Sequence, residues 1–198
     1  MEQDRVISVG VILASVRPQR RGEAFARWAL GLLEGLEGVS VELIDLEAWP
    51  IPSFNHPAPA VVAEKSYPEG SLSLRWAQKI ASFDGFVIVT PEYNYGYPGQ
   101  LKNALDQINA PWNYKPVAFV GYGGVAAGAR AVQQLRLVVN ELRMIPVRDD
   151  VSIRLIGLAV DERGWPTEEL YLKRGAAMAT ELVWWARVAK DARARRPR

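Results

Sequence analysis

The stretch GFVIVTPEYNYGYPGQLKNALDQ, residues 85–107, decides how the rest of the chain is read. Its first six residues, GFVIVT, are apolar without the alternation of a half-exposed strand, which predicts a strand covered on both faces of a parallel sheet. PGQLKNALDQIN, from Pro98, predicts a helix that opens with proline in its first turn, where the missing N–H costs least. Between strand and helix lies PEYNYGYP, three tyrosines held between two prolines. A plain connection needs no such rigidity.

The same strand, loop and helix order recurs on both sides of this unit. VISVGVILA (6–14) predicts another buried strand, followed by the polar loop SVRPQRRG and a helix with Phe25, Trp28, Ala29, Leu32, Leu33 and Leu36 on one face. SVELIDL (40–46) reads as a strand and SLSLRWAQKIASF (71–83) as a helix, with Ser71 as its N-cap. PVAFVGY (116–122) predicts a fourth strand, leading into a helix that buries Val132, Leu135, Val139 and Leu142. IPVRDDVSI (145–153) predicts a fifth. Thr167, with Glu168 and Glu169, is expected to cap a last helix that buries Leu172, Ala176, Ala179, Val183 and Ala186. Five strands alternating with helices and no hairpin signal specify an α/β fold, a parallel sheet with helices on both faces. The length fits a single domain over residues 1–198. Ligands of such sheets bind beyond the carboxyl ends of the strands, which brings the loops 14–22, 91–98 and 121–128 to one edge. The proline-rich segment 47–70 is long for a connection, and is expected to be either functional or mobile.

Composition narrows the chemistry. The chain has no cysteine and one histidine, His56, so disulfides, thiolate nucleophiles and a conventional zinc site are not expected, and no metal site is assigned. His56 reads as a polar surface residue of the long loop. No run of eighteen apolar residues occurs and the start MEQDRVISV lacks a secretory apolar stretch, so no membrane span is expected and the cytoplasm is the expected compartment. Net charge is +2, but the last twelve residues hold six Lys or Arg and one Asp, leaving a slightly acidic body. This basic tail, 187–198, reads as a solvated helix end whose charges suit the helix dipole, with nucleic-acid contact a minor alternative.

The three loops divide the work of holding a ligand. Ser15, Arg17, Arg20 and Arg21 sit between a strand and a helix start, where main-chain N–H groups, a hydroxyl and guanidinium forks suit a phosphate without a metal. Neither GxGxxG nor the Walker pattern is present, so an ordinary dinucleotide fingerprint or P-loop is not indicated. Pro91 directs the chain so that Glu92, Tyr93 and Asn94 present main-chain N–H groups to the edge of a flat ring. GYGGVAAG (121–128) lets the backbone approach closely at four glycines. Together the loops describe a phosphorylated planar cofactor lying across the strand ends.

TPEYN followed by PGQLKNALD resembles the signature of the NADPH-dependent FMN reductases of the flavodoxin-like superfamily, which include quinone, chromate and azo-dye reductases. Ser15-x-Arg17 resembles the family's phosphate loop, and GYGG followed by AR and QQLR its third loop and helix; the likeness covers most of the chain. It implies a flavodoxin-like three-layer sandwich with strand order 2-1-3-4-5. By the same likeness Ser15, Arg17, Arg20, Arg21 and Gly22 would hold the FMN phosphate. Pro91, Glu92, Tyr93 and Asn94 would border the isoalloxazine, with Tyr122, Gly123 and Gly124 on the adjoining side. The chain departs from the family at Ala14, where glycine is common, at Arg20, where a second serine is common, and at Gly22, where asparagine is common. Tyr95 and Tyr97 replace smaller or more polar residues and are expected on the substrate side or against a neighbouring subunit. The implied activity is FMN-dependent NAD(P)H oxidoreduction: reducing equivalents pass from NADPH or NADH through flavin N5 to a small acceptor (a quinone, free flavin, a metal oxyanion or an azo or nitro compound) by ping-pong. Catalytic side chains are not expected, because the flavin carries the chemistry. A homodimer or homotetramer is implied. A flavodoxin-like electron carrier and a non-flavin α/β binding domain remain the alternatives.

Overall fold

The computed structural model describes residues 6–195. The chain runs β1 (Ile7–Leu13), α1 (Gly22–Glu34), β2 (Val39–Asp45), α2 (Ala60–Ala63), α3 (Leu72–Ala81), β3 (Gly85–Pro91), α4 (Gly99–Asp106), β4 (Pro116–Gly123), α5 (Ala129–Glu141), β5 (Ile145–Pro146), β6 (Val151–Arg154) and α6 (Glu169–Ala194). The sheet order is β2-β1-β3-β4-β5, with β6 also paired to β4. Every pairing is parallel. β3 and β4 are buried at every position, as their unbroken apolar runs require. Alternate side chains feed two cores. Val9, Val11, Val87, Val89 and Val120 face α1 and α6, while Ile12, Phe86, Ile88 and Phe119 face α3, α4 and α5.

The expected fifth strand is two short ones. Pro146 has no N–H to donate, and the Arg136 guanidinium takes the Val147 carbonyl at 2.9 Å, the Arg148 carbonyl at 3.3 Å and the Asp150 carboxylate at 3.1 Å. The chain therefore leaves the sheet between β5 and β6, whose pairings with β4 end at Val117 and resume at Val120. The last helix also differs from expectation. Leu172 is 44% exposed and Ala176 is exposed, whereas Tyr171, Gly175, Met178, Leu182 and Ala189 are buried beside the correctly expected Ala179, Val183 and Ala186. Gly175 helps set this face: a Cβ there would stand 2.7 Å from Trp28 and Leu32 of α1, so α1 packs against a residue that a search for apolar side chains passes over. Its N-cap is Glu168, with no side-chain cap bond, rather than Thr167. Of the basic tail, residues 187–194 continue this helix, Arg195 is its C-cap, and 196–198 lie outside the described residues.

The long segment 47–70 is pinned. Asn103 of α4 donates to the Ile51 and Pro52 carbonyls and accepts from the Phe54 N–H. Buried Gln107 donates to Pro52 at 2.7 Å and accepts from Ser73 at 3.1 Å. Glu64 caps the N–H groups of Asn109 and Ala110. His56 is exposed, and its Nδ1 accepts from the Ala58 N–H.

At the opposite end of the sheet, Asp84 accepts from the Ser8 N–H, from Lys190 at 2.9 Å and from Arg193 at 2.8 Å, tying the end of α6 to β1 and β3. Beside it Lys115, 6% exposed, donates to the Ile80 and Ala81 carbonyls. Burial, and then the Arg193 charge, push its ammonium down to about 7, against the pull of Asp84.

Candidate functional site

The loops beyond β1, β3 and β4 meet in one cleft of about 320 Å³. From the expected set it is lined by Ser15, Arg17, Arg20, Arg21, Pro91, Glu92, Tyr93, Tyr122, Gly123 and Gly124. Pro18, Gln19 and Leu155 line it as well. Leu155 follows β6, lies two residues past the expected fifth strand, and was not among the expected site residues.

The floor of the cleft is a group of hydroxyls. Ser15, buried, lies 2.9 Å from the Tyr93 hydroxyl. Tyr122 reaches the same place from β4: its ring packs edge-on against Phe25 at 5.2 Å, and its hydroxyl bonds Ser15. Burial raises the Tyr122 phenol well above its usual range, and the Tyr93 phenol adds to this; the Ser15 bond and Arg20 and Arg17 work against it. Gly22 opens α1 directly beneath, where a Cβ would run into the Tyr122 hydroxyl. Gly22 is thus a support of the floor and does not line the cleft. Tyr122 likewise contributes a hydroxyl and not a ring face to this region.

Arg20 is placed differently from expectation. Its guanidinium donates to the Ser15 carbonyl at 2.8 Å, pairs with Asp45, and lies 2.9 Å from Glu47, with 8% of the side chain exposed. The carboxylates at the end of β2 have captured it, so it braces the loop from behind and its charge is spent. Glu92 is paired in the same way. Its carboxylate, 7% exposed, accepts from the Arg130 Nε at 2.5 Å and the Arg130 N–H at 3.2 Å. Arg17 and Arg21, both exposed, make no ion pair among the described residues; Arg17 lies over the Tyr93 ring at 5.5 Å. The helix they precede starts at Arg21 without a side-chain cap. Two free guanidinium groups, a buried hydroxyl and the open N-terminus of a thirteen-residue helix fit a doubly charged phosphate.

The ledge after β3 is built from a tight turn. The Tyr93 N–H donates to Gly96 at 2.8 Å and the Gly96 N–H returns to Tyr93 at 2.9 Å. Asn94 and Tyr95 stand between them with φ of 48° and 73°, the mirror-image turn of a two-residue hairpin. The Glu92 N–H is also taken, by the Tyr122 carbonyl at 3.0 Å. Of the three N–H groups expected to meet a ring edge, only that of Asn94 is unspent, and Asn94 sits at the exposed tip outside the lining of the cleft. Tyr95 is 65% exposed, with the Arg130 guanidinium 3.6 Å from its ring centre and its carbonyl bonded by Gln134. Tyr97 is half-buried against the α3 and α4 core, and burial raises its phenol; it packs instead of facing the cleft. Across from the ledge, a Cβ at Gly124 would meet nothing within 4 Å, so that side is open, while Gly128, at φ 83°, has no room for one.

The sequence model of the NADPH-dependent FMN reductase family matches residues 7–156. The NAD(P)H-dependent FMN reductase of Schizosaccharomyces pombe is 39% identical over 134 residues, which span 68% of this chain and 66% of that protein. The NAD(P)H-dependent FMN reductase of Saccharomyces cerevisiae is 32% identical over 146 residues, 70% of this chain and 76% of that one. Among solved structures, FerB, a flavoenzyme NAD(P)H:(acceptor) oxidoreductase from Paracoccus denitrificans, superposes with a TM-score of 0.76 at 25% identity, covering 93% of this chain and 99% of that one.

Proposed function

This chain belongs to the NADPH-dependent FMN reductase family, an oxidoreductase family that works with FMN and NAD(P)H, and from that premise we propose that the cleft holds FMN and serves a donor and an acceptor in turn. Bound FMN would supply the redox chemistry between NAD(P)H and a small acceptor such as a quinone. The residues around it bind and orient. Arg17 and Arg21, with the Ser15 hydroxyl and the start of α1, hold the phosphate. Tyr93 and Pro91 would form the wall beside the ring. Tyr95, at the exposed tip, stands on the acceptor side.

One observation carries this reading: Asp45, Glu47 and Glu92 are each neutralised by Arg20 or Arg130, while Arg17 and Arg21 remain unpaired. The cleft therefore presents net positive charge on the loop side alone, as a phosphate requires. A single open site favours ping-pong kinetics, since donor and acceptor contend for the same face. A homo-oligomer and a cytoplasmic setting, where NAD(P)H is regenerated, complete the proposal.

The test is titration of the apoprotein with FMN, followed by NADPH oxidation with and without benzoquinone. Flavin binding, turnover that depends on the quinone, and parallel double-reciprocal lines are the expected results. A protein that leaves the FMN spectrum and fluorescence unchanged overturns the reading. Flavin that NADPH reduces without turnover on quinone makes the chain an electron carrier.

A further inference from the structure

A second cavity, of about 240 Å³, shares a wall with the cleft: Ser15 and Arg17 line the cleft, while Val16 between them lines this cavity. Leu46, Trp49, Pro50 and Ile51 close it from the segment after β2, and Ala104 from α4. Its walls are fixed in the free protein. Trp49 stands edge-on against Trp76 at 5.3 Å, with the Arg75 guanidinium 5.9 Å from its ring centre. Asn103, also in the lining, holds the Ile51 and Pro52 carbonyls. A ligand here therefore finds a preformed seat and orders little on entry. An apolar cavity of ~150 Å³ takes a benzene ring, so this one has room for one ring or two fused ones.

The polar groups of the lining narrow the choice. The Asn103 amide is committed to the backbone of residues 51–54. Three groups remain: the Glu47 carboxylate, the exposed Gln100 amide and the Trp49 indole. Glu47 uses one oxygen on Arg20 at 2.9 Å, leaving the other without a partner among the described residues, and the Trp49 N–H likewise has none. A charged acceptor beside a free donor suits a group that both gives and takes a hydrogen bond, as a phenolic hydroxyl does. A carboxylate would be repelled by Glu47, and a quinone carbonyl has no proton to offer it.

We infer that this cavity is a second binding site, for a small phenol of the hydroquinone type, and that filling it tightens the FMN site. The Glu47 side chain is 60% exposed, so water screens its attraction for Arg20. A ring laid over it removes that water, and Arg20 is the group that holds the Ser15 carbonyl at 2.8 Å. The coupling is reciprocal, so FMN tightens the phenol site by the same factor. A hydroquinone is what a quinone becomes on gaining two electrons and two protons, so the product of the proposed reaction would itself favour the loaded enzyme. That link rests on the proposed function; the site does not.

The test is titration of the apoprotein with methylhydroquinone under argon, read from the indole N–H signals of nitrogen-labelled protein. The Trp49 signal, identified by its loss in Trp49→Phe, should move. Gln100→Trp, which plugs the mouth from an exposed position, should bind about tenfold or more weakly at unchanged Tm, and 1,4-dimethoxybenzene, which cannot donate, should bind wild type about tenfold or more weakly. Saturating methylhydroquinone should raise FMN affinity about threefold or more in wild type and leave it unchanged in Gln100→Trp. A Trp49 signal that stays in place, equal binding by Gln100→Trp or by the dimethyl ether, or an FMN affinity in wild type that is unchanged or falls overturns the inference. Phenol binding in a chain that takes up no FMN would refute the proposed function and uphold the second site.

Discussion

Arg17 and Arg20 stand three residues apart, yet the structure gives them opposite duties, and replacing each by alanine separates the two. In the free protein Arg17 makes no ion pair and only a loose contact over Tyr93. Its loss should cost the apoprotein under about 1 kcal/mol, a shift in Tm of about 3 °C or less for a chain of this size. Toward a phosphate it offers a charge-assisted bond, typically about 1.5 to 3 kcal/mol, so Arg17→Ala should bind FMN about 10- to 150-fold more weakly. Arg20→Ala strips the partner from Asp45, whose side chain is 28% exposed, and the donor from the Ser15 carbonyl. Breaking a fully buried pair costs about 3 to 5 kcal/mol; the exposure of Asp45 and the solvated position of Glu47 reduce this to about 2 or 3, or roughly 5 to 10 °C in Tm. FMN affinity should fall too, through the loosened Ser15 loop. The assays are thermal unfolding of both apoproteins and quenching of FMN fluorescence. An Arg20→Ala protein with unchanged apoprotein Tm and a loss of FMN affinity like that of Arg17→Ala would refute the division of labour. So would Arg17→Ala with full affinity.

Lys115 makes stability depend on pH. Its ammonium titrates at about 7 in the folded chain and at 10.5 when unfolded, so between those values the unfolded chain binds the additional proton. Stability should therefore rise with pH from about 7 to about 10, where Tyr122, with its raised phenol, begins to oppose it. Urea unfolding at pH 7 and 9.5 should show wild type gaining 1 kcal/mol or more across this interval, at ~1.4 kcal/mol per pH unit at most, and Lys115→Met gaining little; equal slopes would remove Lys115 as the cause. Asn103→Ala removes three hydrogen bonds to residues 51–54, and should cost about 2 to 3 kcal/mol. It should also speed proteolysis within 52–59 while leaving α3 protected, as read by mass spectrometry of the early fragments.

The buried strands and the meeting of three loops were legible because parallel strands covered on both sides leave an uninterrupted apolar run; the strand order came with the family resemblance. Ten of the expected site residues line the cleft for the same reason: loops that follow those strands cannot go elsewhere. What escaped depended on pairings between distant residues. Arg20 looked like a phosphate ligand because Asp45 and Glu47 belong to another strand end. The Glu92 and Tyr93 N–H groups looked free because a two-residue turn at Asn94 and Tyr95, neither of them glycine, is not a pattern that sequence announces. The face of α6 was misread at Leu172 and Ala176 because Gly175, which has no side chain to mark it, packs against Trp28 and Leu32 with no room for a Cβ.

The position of α6 has a consequence for how the chain comes into being. It follows every strand of the sheet in chain order, yet it covers Val9, Val87 and Val120, residues of three strands completed long before. During synthesis α1 alone covers that side of the sheet until α6 has cleared the ribosome and Lys190 and Arg193 can reach Asp84. The carboxylate that ends the wait precedes β3 by a single residue. A nascent chain stalled before α6 has emerged would therefore carry a finished Ser15–Arg21 loop on an unfinished core, a natural client for chaperones that read exposed valine and leucine.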